Sequence, residues 1–351
     1  MTQIHVHGRG VTCSNNNRSI IRLSFPSSKL YNSDFLADLC QIDTLDQNRL
    51  SGPLPNFSGF GGLQYLDLSY NSLAGSIDSQ LNSGGIPESL SSIKTLSRFA
   101  AYQNSFSGII SSGISRYLGI LDLSYNKLSG LIPSDFLSSS TLQYVDLSYN
   151  SLEGPIPSNF SPSFIRLILG GNSLNSTITS LGYGILSKLI YLDLNKNSFT
   201  GFVPPQLGNF QSLALLNLAQ NEFYGPLPEE LGNLHQLQVV QLQSNRLTGE
   251  IPPQFSQLQK LSILNISRNS LTGSIPSEIS SLGNLIRLDL RDNSFGGSIP
   301  NSIGYLKSLI ELQLGNNNLS GKIPSMPSNL QIALNLSRNH LNFHINCTLT
   351  L

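Results

Sequence analysis

Apolar residues recur along this chain in short blocks, not in long runs. Each block reads LxxLxLxxN, and Asn197, Asn221, Asn245, Asn269, Asn293 and Asn317 close successive blocks at a spacing of 24 residues. The stretch from Leu237, LQVVQLQSNRLTGEIPPQFSQLQK, shows one whole cycle, which restarts at Leu261. Within LxxLxLxx the apolar positions alternate with period two, which predicts a short strand with its leucines on one face. In the block ending at Asn293, Leu285, Leu288 and Leu290 are expected to point inward, and Arg287, Asp289 and Arg291 outward. A fixed period in the twenties marks a solenoid, in which each repeat is a coil that buries its apolar face against the next. The predicted fold class is an α/β solenoid: a curved right-handed superhelix with a parallel β-sheet on its concave face. About a dozen strands at about 4.8 Å spacing would make a sheet roughly 55 Å long.

The asparagine that ends each strand stands where the chain turns away from the sheet. Its amide can pair backbone groups that would otherwise be buried without partners. Each such hydrogen bond is worth about 1 kcal/mol net, so these asparagines are scaffold. A leucine or phenylalanine for the core follows, and then a GxIP element. Glycine there admits backbone conformations closed to other residues, and proline fixes φ and gives up its N–H at the bend. Gly249-Glu250-Ile251-Pro252 and Gly273-Ser274-Ile275-Pro276 are full copies, whereas Ile77-Asp78, Ile109-Ile110 and Ile178-Thr179 lack the proline. A segment such as LGNLHQL then closes the convex side.

The asparagines fall at 48, 71, 104, 126, 150, 172, 197, 221, 245, 269, 293, 317 and 339, so the one long interval is 104 − 71 = 33 residues. Deletions from a more regular ancestor are expected near 41–48 and 82–85, with a functional insertion as the rival explanation of the long interval. The expected organisation is a partial N-terminal cap and first repeat over 1–40, the repeat array over 41–341, and a divergent tail over 342–351. Fraying is expected from about residue 325, because terminal repeats need polar caps.

Composition narrows the function. Charged residues make up 11% of the 351-residue chain, against about 25% in an ordinary soluble domain. Lys+Arg and Asp+Glu balance at 20 each, so no net field draws in nucleic acid or anionic lipid. Eight N-x-[ST] triplets occur, at Asn17, Asn56, Asn159, Asn175, Asn265, Asn318, Asn335 and Asn346. A chain rich in Asn and Ser produces such triplets by chance, yet eight of them in a low-charge chain also fit a secreted, glycosylated surface. The cysteines, Cys13, Cys40 and Cys347, are odd in number, whereas secreted frameworks usually pair. No run reaches the 18 or so apolar residues of a membrane helix, and no basic-then-apolar leader opens the chain. These features lead to the expectation of a chain truncated at its start. No cofactor is expected. His5 and His7 lack a third ligand nearby, and His235, His340 and His344 have no nucleophile at a readable spacing, so neither a metal site nor catalysis is expected.

LxxLxLxxNxLxGxIP, recurring over about residues 45–341, resembles the plant-specific class of leucine-rich repeats. That class occurs in receptor-like kinases, receptor-like proteins and polygalacturonase-inhibiting proteins of plant cell surfaces. Gly10-Val11-Thr12-Cys13 followed by Arg22-Leu23 is similar to the end of the family's N-terminal capping motif, although the preceding Cys and Trp are absent. Ala333-Leu334-Asn335-Leu336-Ser337-Arg338-Asn339 is similar to one of the last repeats of a receptor kinase ectodomain, after which the pattern is lost. No kinase signature follows. The resemblance implies a non-catalytic recognition ectodomain at the plasma-membrane surface, binding a peptide or protein ligand or a co-receptor ectodomain. It would meet the membrane only through a C-terminal span outside this chain. A secreted inhibitor of the polygalacturonase-inhibiting type, or a non-functional truncated product, are the alternatives.

Outward strand positions stack into columns, and these are the candidate ligand-binding residues. One column carries Tyr65, Tyr144 and Tyr191; another, just before the asparagines, carries Tyr70, Tyr125 and Tyr149, with Tyr102 adjacent. Between them runs an acidic column of Asp67, Asp122, Asp146 and Asp193. Exposed tyrosines suit interfaces, since they offer large amphipathic area at low entropy cost; the competing reading is that Asp and Ser of LDLSYN merely bond locally. A second patch is Arg287, Asp289, Arg291 and Asp292, with Arg268 and Glu311 on the strands either side. Peptide-reading members of the family hold a ligand's terminal carboxylate with paired arginines on a late repeat. Mutual neutralisation of Arg and Asp is the alternative here. An extended peptide of about 12 to 15 residues could lie along such a sheet.

Overall fold

The computed structural model describes residues 11–13, 20–23, 51–52, 54, 57, 61–76, 88–179, 181–182 and 184–342. Asn17, Asn56 and Asn346, His5, His7 and His344, Cys40 and Cys347, and both expected deletions lie outside these residues. So does nearly all of the expected tail. The chain forms two compact units, Met1–Asn175 with Ser180–Leu186, and Ser176–Thr179 with Ser187–Leu351.

In the first unit the LxxLxLxx blocks form three-residue strands: Tyr65–Asp67, Arg98–Ala100, Ile120–Asp122, Tyr144–Asp146 and Arg166–Ile168. They pair in parallel and in register. The central residue of each, Leu66, Phe99, Leu121, Val145 or Leu167, is buried in the core, and its flanking residues turn to the other side of the strand as period two requires, although Ala100 there is itself buried. The second unit repeats the arrangement with Tyr191–Asp193, Leu215–Asn217, Val239–Gln241, Ile263–Asn265, Arg287–Asp289, Glu311–Gln313 and Ala333–Asn335. These too are parallel and in register. The parallel-sheet solenoid expected from the repeat is therefore present.

The asparagine ladder is built as its chemistry requires. Asn221 donates from Nδ2 to the carbonyls of Leu218, at 3.1 Å, and of Leu194 in the preceding repeat, at 3.0 Å. Its Oδ1 accepts the N–H of Phe199 at 3.0 Å. Asn126 repeats the geometry in the first unit with Leu123, Ala101 and Phe106. The residue before each asparagine adopts the left-handed region, from φ 50 at Lys196 to φ 69 at Gly171, which swings the amide beneath the turn.

Beyond the ladder the chain of each unit forms a second parallel sheet, where the GxIP pattern predicts only a bend. Its strands include Ser105–Gly108, Lys127–Leu131 and Ser151–Gly154 in the first unit, and Ser198–Gly201, Glu222–Pro226 and Arg246–Gly249 in the second. The helical part of the expected class is reduced to five-residue 3-10 turns. In the second unit these are Pro205–Asn209, Glu229–Asn233, Pro253–Gln257, Ser277–Ser281 and Asn301–Tyr305. Each begins after a proline whose fixed φ sets the turn, and five residues are too few to nucleate an α-helix. No α-helix occurs among the described residues.

The 33-residue interval closes as a single coil. Tyr65–Asp67 pairs directly with Arg98–Ala100, and Asn104 Nδ2 reaches the Leu68 carbonyl at 2.9 Å. At the far end the ladder continues through Asn339, whose Nδ2 bonds the Leu314 carbonyl at 3.0 Å, while Ile332 and Leu334 are 61% and 46% exposed.

Two substitutions test these contacts. Asn221→Ala strands the Phe199 N–H in the interior and takes one of two amide donors from each of the Leu218 and Leu194 carbonyls, which keep Asn245 and Asn197, so we expect a loss of about 2 kcal/mol, measured by urea unfolding. A loss below about 1 kcal/mol would refute the ladder's role. At Gly232 an added Cβ would lie 2.5 Å from the Gln254 carbonyl oxygen on the next turn, whereas at Gly283 nothing stands within 4 Å. Gly232→Ala should lower the unfolding midpoint clearly, and Gly283→Ala should leave it within about 0.5 kcal/mol.

Candidate functional site

The last residue of each strand has a local task. Asp122 accepts the N–H of Ser124 at 3.0 Å and its hydroxyl at 2.7 Å, and Asp146 takes the same two bonds from Ser148 at 2.9 and 2.6 Å. Asp193 accepts the N–H of Asn195 at 3.0 Å, and Asp289 that of Arg291 at 3.2 Å. This Asx turn draws the carboxylate in beneath the turn. Asp193 and Asp289, expected to face outward as ligand contacts, are therefore buried, at 9% and 3% exposure. Asp67, Asp122 and Asp146 remain half-buried.

Burial has electrostatic consequences. It pushes the Asp122 carboxyl up to about 6, with the neighbouring Asp146 charge adding to the effect and the Ser124 bonds opposing it. Burial likewise raises Asp146 against its bonds from Ser148 and Tyr144. Asp289 is raised by burial even though Arg291 Nη2 stands 3.1 Å away, since its side chain is only 5% exposed.

The first unit gathers most of the tyrosines. Tyr125 and Tyr149 occupy the left-handed position before the ladder and stack at 4.4 Å with 15° between their planes. They stay 47% and 41% exposed. The Tyr149 ring lies over Gly171, where a Cβ would fall 2.8 Å from its Cδ1. Tyr70 meets Tyr102 edge-on at 4.9 Å. Tyr102 stands one position earlier in its repeat than the other three, so it reaches in over the acidic column. Its hydroxyl is raised by burial, by its bond with Tyr70, and by the charges of Asp67 and Asp122. Tyr144 lies in register between Ile120 and Arg166 and bonds to Asp146. Tyr102, Tyr125, Tyr144, Asp146 and Tyr149 thus share one strand face.

In the second unit Tyr191 and Asp193 stand on one strand, and Arg287 and Asp289 stand on another four strand positions along. They do not converge. The arginines are engaged with acids: Arg287 with Glu311, Arg291 with Asp289, and Arg268 with Asp292 at 3.7 Å. Mutual neutralisation is what the geometry shows, in place of a free pair of guanidiniums. Between these strands runs a surface outside the tyrosine and acidic columns. Leu215, Val239 and Ile263 stand in register, half-exposed, beside the amide row Asn217, Gln241 and Asn265. Their signal lies in LALLNL, LQVVQL and LSILNI, where an apolar residue occupies an outward position of the strand.

A family model described as a leucine-rich repeat region matches residues 192–331, and a leucine-rich repeat model matches 62–93, 117–139 and 141–162. Receptor-like protein 39 of Arabidopsis thaliana is 36% identical over 213 residues, covering 58% of this chain and 21% of that protein. Receptor-like protein 41 of the same plant is 29% identical over the same shares. The chain thus spans about a fifth of the length of these relatives. Among solved structures, the Arabidopsis receptor kinase HAESA in complex with the peptide hormone IDA and the co-receptor SERK1 matches with a TM-score of 0.80 and 32% identity, over 90% of this chain and 53% of that one.

The carboxylates give a pH test. With its carboxyl at about 6 in the fold, against 3.8 without it, Asp122 stabilises the protein while protonated. That contribution is complete below pH 3.8 and is lost as pH rises through about 6. Asp122→Asn should keep the Ser124 bonds, since Asn265 accepts the same two from Ser267. It should also remove about 1–2 kcal/mol of the decline between pH 4 and 7, allowing for partial solvent screening. Urea midpoints across that range measure it, and an unchanged slope would contradict the assignment.

Proposed function

The chain belongs to the leucine-rich repeat proteins, in their plant receptor-like class, and from that premise we propose that it is a recognition ectodomain of a plant cell-surface receptor. It binds an extended peptide or protein segment on its strand face and performs no chemistry of its own. A co-receptor ectodomain is the second partner class. The observation that carries the reading is the Tyr125–Tyr149 stack, left 47% and 41% exposed above a backbone already fully bonded by the ladder. Such rings offer large amphipathic area at little entropic cost.

The two units offer different chemistry to a ligand. In the first, aromatic rings flank half-buried carboxylates that repel one another, which suits a segment carrying a basic side chain between apolar ones. In the second, the half-exposed apolar column of Leu215, Val239 and Ile263 suits the apolar side chains of a neutral extended segment. The relatives support the general reading, since HAESA is seen with a peptide hormone and a co-receptor.

The test uses the whole chain, displayed on yeast and selected against a library of random linear peptides. Enrichment of a common motif is expected. Tyr125→Ala with Tyr149→Ala should weaken the selected peptide about 30-fold, as loss of an aromatic hot spot implies. If the double variant selects the same peptides with equal affinity, the strand face of the first unit is not the site.

A further inference from the structure

We propose that Asn175, Asn159 and Asn318 carry N-linked oligosaccharide and that Asn265 and Asn335 do not, so that sugar occupies the second sheet and the turns and leaves the strand face bare. The proposal rests on the extracellular reading above, which brings the chain to an oligosaccharyltransferase. In that transfer asparagine Nδ2 attacks the anomeric carbon of a lipid-diphosphate-linked oligosaccharide. The N–C bond forms, the C–O bond to the diphosphate breaks, the lipid diphosphate leaves with the electron pair, and the amide proton passes to the transferase.

Asn175 stands on the strand Ser173–Ser176 of the second sheet with its side chain exposed. Its triplet breaks the repeat in an unusual way. Ser176 holds φ 80, a position where Gly108, Gly130, Gly154, Gly201 and Gly225 have φ from 73 to 90. A residue with a Cβ is strained there. Asn175-Ser176-Thr177 is the one triplet with threonine among the described sequons. Thr177 is exposed as well. Asn318 is exposed two residues before the strand Ser320–Lys322, which pairs with His340–Asn342, and Asn159 is exposed in the segment after Ile156-Pro157, where other repeats place their 3-10 turn.

Asn265 and Asn335 are different. Each ends a strand of the first sheet, is half-buried, and uses Oδ1 to hold the serine of its own triplet. Ser267 donates to Asn265 at 3.1 Å from N–H and 2.7 Å from Oγ, and Ser337 to Asn335 at 3.1 and 2.8 Å. Ser267 is 2% exposed. Asn265 is flanked in register by Gln241 and Asp289. Asn335 lies flat on Gly315, where a Cβ would sit 2.7 Å from Nδ2. A sugar on either nitrogen would have to part packed neighbours.

The test is to express the full chain behind an added secretion leader in plant or insect cells and map occupancy by mass spectrometry after enzymatic deglycosylation in heavy-oxygen water. Asn159, Asn175 and Asn318 should be marked, and Asn265 and Asn335 unmarked. Thr177→Ser gives Asn175 the same hydroxyl class as Asn265 and should leave it occupied; Ser176→Gly relieves the left-handed residue, keeps the triplet and should also leave it occupied. Sugar on Asn265 or Asn335 of the secreted, folded chain, or a bare Asn175, overturns the proposal. Because the leader delivers the chain to the transferase whatever it binds, failure to select peptides leaves this pattern unaltered, and the two ideas fail separately.

Discussion

Strands of three residues cannot hold a sheet together by themselves. Each leaves the leucine carbonyls of its turn facing inward, where no water reaches them, and an unpaired carbonyl there is costly. The asparagine ladder meets that constraint. One amide ties its own turn to the turn of the repeat before it, and its oxygen captures an N–H of the second sheet, as Asn221 does for Leu218, Leu194 and Phe199. Sheet, turn and second sheet are thereby locked to one another in every repeat. The asparagine's place behind each strand is fixed even where the interval varies, because a shifted asparagine would serve none of its three partners.

The ladder also decides which residues are free to recognise anything. The strand's last residue is taken up by the Asx turn, so Asp193 and Asp289 lie buried and serve the backbone. The first strand residue and the left-handed residue before the asparagine remain. Those two positions carry Tyr144, Tyr125 and Tyr149 in the first unit, and Leu215, Val239 and Ile263 in the second. Side chains at these places can vary without disturbing a single ladder bond.

The second sheet and the turns show the same economy. Gly225 admits the Phe202 ring over its backbone and Gly232 admits the Gln254 carbonyl, so a glycine in the repeat often answers to the neighbour lying on it.

The repeat period, strand alternation and buried leucines were legible because each recurs many times and rests on local chemistry. The ladder's function was equally plain, since only a side-chain amide both donates and accepts at that turn. The candidate surface was legible in part. LDLSYN shows which residues stand on a strand, but not that Asp193 curls beneath its turn while Tyr125 stays in solvent. Nor does it show that Arg287 and Arg291 are each held by an acid, one of them on the next strand. Those outcomes depend on φ at one residue and on neighbours 24 positions away, which no window along the chain contains. The sequence alone therefore determined the scaffold, through a periodic match between residue type and backbone need. Tertiary structure decided which polar groups are spent on that scaffold and which are left for a partner, because burial and cross-repeat bonding exist only once the coils are stacked.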